Sequence, residues 1–245
     1  MPRDRLVAVA LLTAGALVAS GLPVAAQTPS QLERRVRDEL QGERALQRLE
    51  VQAAGAEVTL TGDLDTFWLK SEAIRRALDV DGVETVVTEI VLPPPESDEA
   101  LAEEVSRVVR NYPNTTVFDY LDGRINGGVV TLLGRVTAER DKRGEIFERV
   151  AKIPGVQDVV NEIGVLTPST ADDRLRTILG RSIFGSTHFQ RFAGARNPPF
   201  RIIVERSVVT LAGYVQGEIE RREMEQIARQ TQGVLRVIND LETVQ

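Results

Sequence analysis

The 245-residue chain contains no cysteine, a single histidine, a single tryptophan and only 4% aromatic residues. Without cysteine there is no disulfide, no thiolate metal site, no cysteine nucleophile and no lipid-bearing amino-terminal cysteine. One histidine, His188, excludes a pair of histidine metal ligands and leaves any Ser-His-Asp arrangement dependent on that one residue. A surface or loop-packing role is the expectation for it. No cofactor is expected. Hydrophobic residues make up 42% of the chain and charged residues 27%, a globular balance.

The amino terminus is the least ordinary stretch. Arg3 and Arg5 precede an uncharged run, residues 6–26, that closes on Pro23-Val24-Ala25-Ala26 before Gln27. Basic start, apolar middle and small residues at the end are the pattern of a secretory signal, cleaved after residue 26. The run approaches the ~20 residues of a spanning helix, but Gly15, Gly21 and Pro23 oppose a retained anchor. The expectation is export, and with no cysteine the exported protein is not a lipoprotein. Loss of residues 1–26 removes Arg3, Asp4 and Arg5 and moves the formal charge from −6 to −7.

The dominant feature is a repeat. Val-Thr-Leu-x-Gly occurs at Val58–Gly62, Val130–Gly134 and Val209–Gly213. A second glycine follows each copy, Gly82, Gly155 and Gly233, and opens a Gly-Val-x-x-Val segment. Two landmarks at nearly fixed separation indicate one unit read three times. Each unit begins at a serine, Ser30, Ser97 or Ser169, followed by early carboxylates, the signature of a capped helix start. Leu32, Val36 and Leu40, then Leu101, Val105, Val108 and Val109, then Leu175, Ile178 and Leu179, keep helical spacing.

Two strands should follow, joined by tight turns: Leu49, Val51 and Ala53 before Gly55, Val117–Ile125 before Asn126-Gly127-Gly128, and Phe200, Ile202 and Val204 before Glu205-Arg206-Ser207. The Val-Thr-Leu segments are the returning strands, and Gly62, Gly134 and Gly213 should permit a bend or a close helix approach. Ala73/Ala77, Ile146/Val150 and Met224/Ala228 form an i, i+4 pair in every copy, placing a second helix on the sheet. That helix should end on Gly82, Gly155 or Gly233 in a left-handed cap, before a last strand. The fold class is α+β: three tandem α-β-β-α-β units, each a three-stranded sheet covered by two helices. Boundaries are expected at 30–92, 97–166 and 169–244, with a stiff spacer at Pro93-Pro94-Pro95.

This unit resembles the BON domain, named for bacterial OsmY and nodulation proteins. The resemblance is carried by Gly127–Leu132, Pro154-Gly155-Val156 and Asn161 in the second unit, and by Val208–Gly213, Gly233-Val234 and Asn239 in the third. The first unit departs from it at Ala56-Glu57 and Thr88. The resemblance implies a secreted or periplasmic, non-catalytic module linked to envelope integrity, osmotic stress and phospholipid contact.

Charge is unevenly spread. Residues 31–92 carry 8 basic and 13 acidic side chains, residues 97–166 carry 9 and 12, and residues 169–245 carry 11 and 9. Only the third unit suits an anionic partner. It also contains an insertion between its first helix and first strand, and no acidic residue occurs from Arg174 to Val204. Arg181, Phe184, Phe189, Arg191, Phe192, Arg196, Phe200 and Arg201 lie in this stretch and are the candidates for contact with lipid and anions. Arginine engages phosphate bidentately, and phenylalanine can enter the acyl boundary. The alternative reading folds the phenylalanines into a satellite core and pairs the arginines with the acidic first and second units.

Elsewhere the candidates are weaker. Asp63 and Asp65 alternate and could offer oxygens to a hard cation, but capping of the following helix by Asp65 explains them better. Phe67 and Trp68 open that helix, one ring expected on the sheet and the other partly exposed. Titratable residues suited to catalysis are scattered, so no enzyme is expected, and net negative charge with an export signal disfavours nucleic acid. The expected partner is an anionic phospholipid surface, bound peripherally in the periplasm. The competing class is an interaction scaffold or chaperone-like stress protein that recruits other envelope proteins.

Overall fold

The computed structural model describes residues 30–244 apart from Glu96 and Arg196; the segment expected to be a signal lies outside the described residues. The first repeat comprises α1 (Gln31–Leu40), β1 (Glu50–Ala54), β2 (Glu57–Asp63), α2 (Phe67–Leu78) and β3 (Thr85–Val91). The second comprises α3 (Asp98–Arg110), β4 (Tyr120–Asn126), β5 (Val129–Val136), α4 (Lys142–Ala151) and β6 (Asp158–Val165). The third comprises α5 (Thr170–Phe184), β7 (Phe200–Glu205), β8 (Val208–Gln216), α6 (Gly217–Gln230) and β9 (Arg236–Val244). Each repeat builds its own three-stranded sheet, in the orders β1-β2-β3, β4-β5-β6 and β7-β8-β9. In each, the hairpin pair is antiparallel and the last strand joins the central one in parallel. The second helix is the crossover that a parallel pair requires.

By packing, the chain forms two compact bodies. Among the described residues, one holds 30–95 together with Ala151–Gln157, and the other holds 97–150 together with 158–244.

Helix starts follow the serines. Ser30 accepts from the Glu33 amide while Glu33 accepts from the Ser30 amide, a complete capping box. Ser97 and Ser169 accept from the amides of Ala100 and Asp172. In the first repeat, however, Thr66 caps α2 through the Leu69 amide, and Asp65 pairs instead with Arg48 at 2.8 Å. Asp65 is therefore a surface ion-pair residue and not the cap.

The motif strands present Val58 and Leu60, Val130 and Leu132, and Val209 and Leu211 inward, all 0–2% exposed, with Thr59, Thr131 and Thr210 on the opposite face. The six residues of the helical pairs, from Ala73 to Ala228, are 0–1% exposed beneath them. In the first repeat Phe67 packs on this core, and half-buried Trp68 has the Lys152 ammonium 5.2 Å from its ring centre. Both findings follow from the 3.6 and 2.0 periodicities.

Both glycine expectations change in detail. The motif glycines have φ of 139°, 127° and 97°, yet what approaches them is the paired strand, not a helix. A Cβ on Gly134 would overlap the Tyr120 carbonyl oxygen, and one on Gly213 the Pro199 carbonyl oxygen. The second glycines, also at positive φ, do not cap the helices: α2 ends at Leu78, α4 at Ala151 and α6 at Gln230. They shape the turn that leads into the last strand. In the second repeat the strand begins at Tyr120, so Val117 and Phe118 lie outside it, in the preceding turn.

Candidate functional site

The insertion of the third repeat folds inward. Phe189 and Phe200 are fully buried, and Phe184 and Phe192 are half-buried against the same core. Three rings surround the fourth: Phe200 lies 5.4 Å edge-on from Phe189, 5.4 Å edge-on from Phe192 and 6.0 Å from Phe184. Edge-to-face aromatic pairs of this kind add about 0.5–1.5 kcal/mol to simple burial. Phe189 and Phe200 are thus unavailable to an acyl boundary, and the phenylalanines form the core extension that the alternative reading described.

The arginines of that stretch are also not gathered into one patch. Arg191 donates to Glu220 at 2.8 Å and to the His188 carbonyl, and its guanidinium lies 4.4 Å from the Phe192 ring centre. Arg201 donates to the carbonyls of Pro198 and Phe200 and to Asn197, and burial lowers its pKa from the ordinary arginine value. Arg181 is exposed on the last turn of α5, and Arg196 lies outside the described residues. His188 is exposed and contacts Glu223.

Glu220 explains Arg191. It stands four residues before Met224, as Lys142 stands four before Ile146 and Leu69 four before Ala73. All three occupy one helical position facing the core. Leu69 packs there directly. Lys142, 1% exposed, donates to Asp119 at 2.7 Å, to Thr137 at 2.7 Å and to Glu139 at 2.6 Å. Glu220, 4% exposed, accepts from Arg191 and from the Gln216 amide. Asp119, fully buried, also accepts from the amides and hydroxyls of Thr116 and Thr137. Satisfaction this complete marks a structural tie rather than a reactive centre. Among the described residues no group of three or more His, Cys, Asp or Glu side chains could hold a metal ion.

A different set of basic residues does converge. Arg135, Arg206 and Arg236 line one open cleft of about 530 Å³ with Ile203, Glu205, Val208, Thr210 and Ile238. This is the face of the third sheet opposite its buried Ile202, Val204, Val209 and Leu211. The register places Val208 between Glu205 and Arg236, and Thr210 between Ile203 and Ile238. Arg206 is aimed by a pinned turn: Arg206 and Ser207 have φ of 51° and 61°, and both amides donate to buried Asp172 at 2.8 and 2.9 Å. Asp98 holds the Gly127-Gly128 turn in the same way. The three arginines are exposed and form no ion pair among the described residues. The chemistry is that of a shallow surface on which three arginines outnumber one carboxylate, Glu205, around the aliphatic Ile203, Val208 and Ile238, suited to a negatively charged group. Sequence reading missed this set because its members are far apart in the chain; strand register across the third repeat would have joined Arg206 and Arg236, but not Arg135.

The BON domain family model matches residues 28–94, 97–167 and 187–245, more than half of the chain. No curated protein matches significantly. Among solved structures, the C-terminal domain of CdsD, a structural protein of the type III secretion system of Chlamydia trachomatis, is 13% identical, with 89% of this chain and all of that chain covered and a TM-score of 0.25. A second structure of CdsD is 14% identical, covering 88% and 94%, with a TM-score of 0.24. The PrgH periplasmic domain is 15% identical, covering 85% and 99%, with a TM-score of 0.20. Likeness at these scores carries no argument about function. The chain belongs to the BON domain family, in three tandem copies.

Proposed function

We propose that this BON-domain protein works without catalysis, by reversible contact of its third repeat with an anionic component of the bacterial envelope, an anionic phospholipid surface first among them. The observation that carries the reading is the cleft of Arg135, Arg206 and Arg236 around Ile203, Val208 and Ile238. Each arginine near an anionic membrane contributes about 1 kcal/mol, so three give weak binding that salt screens. The net positive charge of the third repeat, beside two acidic ones, orients that contact. Export by a cleaved signal would place it in the periplasm, where a role in envelope integrity or osmotic stress is the corresponding biology.

The test is vesicle flotation with the mature chain from Gln27 onward. Vesicles containing phosphatidylglycerol should retain the protein at low salt, and vesicles of phosphatidylcholine alone should not. Replacing Arg135, Arg206 and Arg236 together by alanine should release it. Arg181→Ala tests the sequence-derived stretch separately, since Arg181 is exposed at the end of α5. Unchanged retention of the triple variant would overturn the site, and no retention of the parent protein would overturn the lipid reading and favour a protein partner.

A further inference from the structure

One inward position of the first strand sets the second repeat apart from the other two. Directly across from the motif leucines Leu60, Leu132 and Leu211 stand Val51, Gly123 and Ile202. Residues opposite each other in an antiparallel pair share a face, so all three positions point at the first helix. Val51 and Ile202 are 4% and 0% exposed, filled core positions. Gly123 puts nothing there. Its backbone does not require glycine: its φ is not positive, and an added Cβ would meet only the Thr131 carbonyl oxygen, at 3.4 Å.

The missing side chain leaves a crevice of about 230 Å³ between α3 and the β4–β5 hairpin, with Val105, Val109, Leu121, Ile125 and Leu132 among its walls. Leu121 and Ile125 stay only half-buried, whereas their third-repeat counterparts Phe200 and Val204 are fully buried. An apolar cavity of about 150 Å³ already admits benzene, and a single water occupies roughly 30 Å³, so this one has room for about eight methylene-sized groups. It is too small for a two-chain lipid. At its mouth stands Arg110, exposed and without an ion pair among the described residues. The carboxylate of Asp122 also borders the crevice, but it is on the opposite strand face, engaged by the Gly123 amide at 2.8 Å and by Tyr120. A hydrocarbon slot with one free cation at its entrance fits a molecule with one tail and one negative end.

We propose that the second repeat binds a single-chain alkyl carboxylate, its tail in the space that Gly123 leaves open and its carboxylate on Arg110. This site shares no residue with the cationic cleft, which takes only Arg135 from the second repeat, and does not rest on the membrane reading. Decanoate below its micelle concentration, titrated into the mature chain from Gln27 onward by calorimetry and amide NMR, is the test. Expected are 1:1 binding with shifts confined to residues such as Ala102, Val109, Leu121 and Ile125, and loss of affinity by about tenfold or more in Gly123→Val. The same variant should melt at a higher temperature, because the valine occupies the place that Val51 and Ile202 occupy in the sister repeats. Arg110→Gln should weaken decanoate by about fivefold and leave decanol unaffected. If Gly123→Val fails to fold, Gly123→Ala must by itself weaken decanoate. Absent 1:1 binding, unaltered affinity in the glycine variants, or decanol binding as tightly as decanoate would overturn the proposal. So would a Gly123 variant that alters self-association and leaves decanoate affinity alone, which would assign the crevice to a second copy of the chain.

Discussion

At the scale of single residues, three glycines in equivalent places do unequal work. Gly134 and Gly213 sit at φ of 127° and 97° with a carbonyl of the neighbouring strand where a Cβ would be, whereas the first atom that a Cβ on Gly62 meets is Leu49 Cδ2, at 3.1 Å. A flexible side chain can give way; a hydrogen-bonded carbonyl cannot. Gly134→Ala and Gly213→Ala should each lower stability by about 1–3 kcal/mol or more, and Gly62→Ala should fall at the lower end of that range. Urea midpoints of the three variants measure this, and equal losses would contradict the strand-contact explanation. The letters Val-Thr-Leu-x-Gly thus encode a close approach of two strands as well as a buried stripe.

At the scale of elements, most of the fold was legible because periodicity and capping act over a few residues. The serine caps, the inward valines and leucines and the i, i+4 pairs of the second helix all follow from local spacing. Helix ends were less legible: Gly82, Gly155 and Gly233 attract the eye as caps, yet helix α2 already stops at Leu78 and is capped by Asp79, whose amide bonds back to Arg75 and Ala77. The arginines of the insertion were legible as a charge pattern but not as a site, because their partners come from α6 and from backbone carbonyls that only the folded chain supplies. The core-facing position shared by Leu69, Lys142 and Glu220 shows the same limit. Nothing near Lys142 in the sequence announces that Asp119, 23 residues earlier, lies 2.7 Å away. Removing one member of such a buried pair leaves an uncompensated charge, a loss of about 3–5 kcal/mol. Lys142→Met should therefore destabilise the second repeat strongly, and because the Thr116 and Thr137 amides each need one Asp119 oxygen, Asp119→Asn should also destabilise it, the two changes together costing less than the sum of the single losses. A double-mutant cycle by chemical denaturation checks this; additive losses would mean that the pair is not coupled.

At the scale of the whole molecule, the second and third repeats share a core although each has its own sheet. Val117 belongs by sequence to the second repeat, yet it is buried among Leu179, Phe189 and Phe200 of the third, with Phe118 packed beside it. The Phe118 ring lies 3.4 Å from where a Cβ on Gly180 of α5 would be, and the Val117 carbonyl accepts from the Ile202 amide at 2.8 Å, on the edge strand of the third sheet. That contact covers an edge that would otherwise present free backbone groups. A unit of about 70 residues buries little surface by itself, so this borrowed turn contributes a real share of the third repeat's stability. Truncating Val117 and Phe118 to alanine should cost about 2 kcal/mol or more, and the loss should register in the third repeat. Hydrogen exchange followed on peptides spanning β7 and β8 should rise along with exchange in β4 and β5. Faster exchange in the second repeat alone would show that the two repeats are independent, and that the contact between Val117 and Ile202 couples nothing.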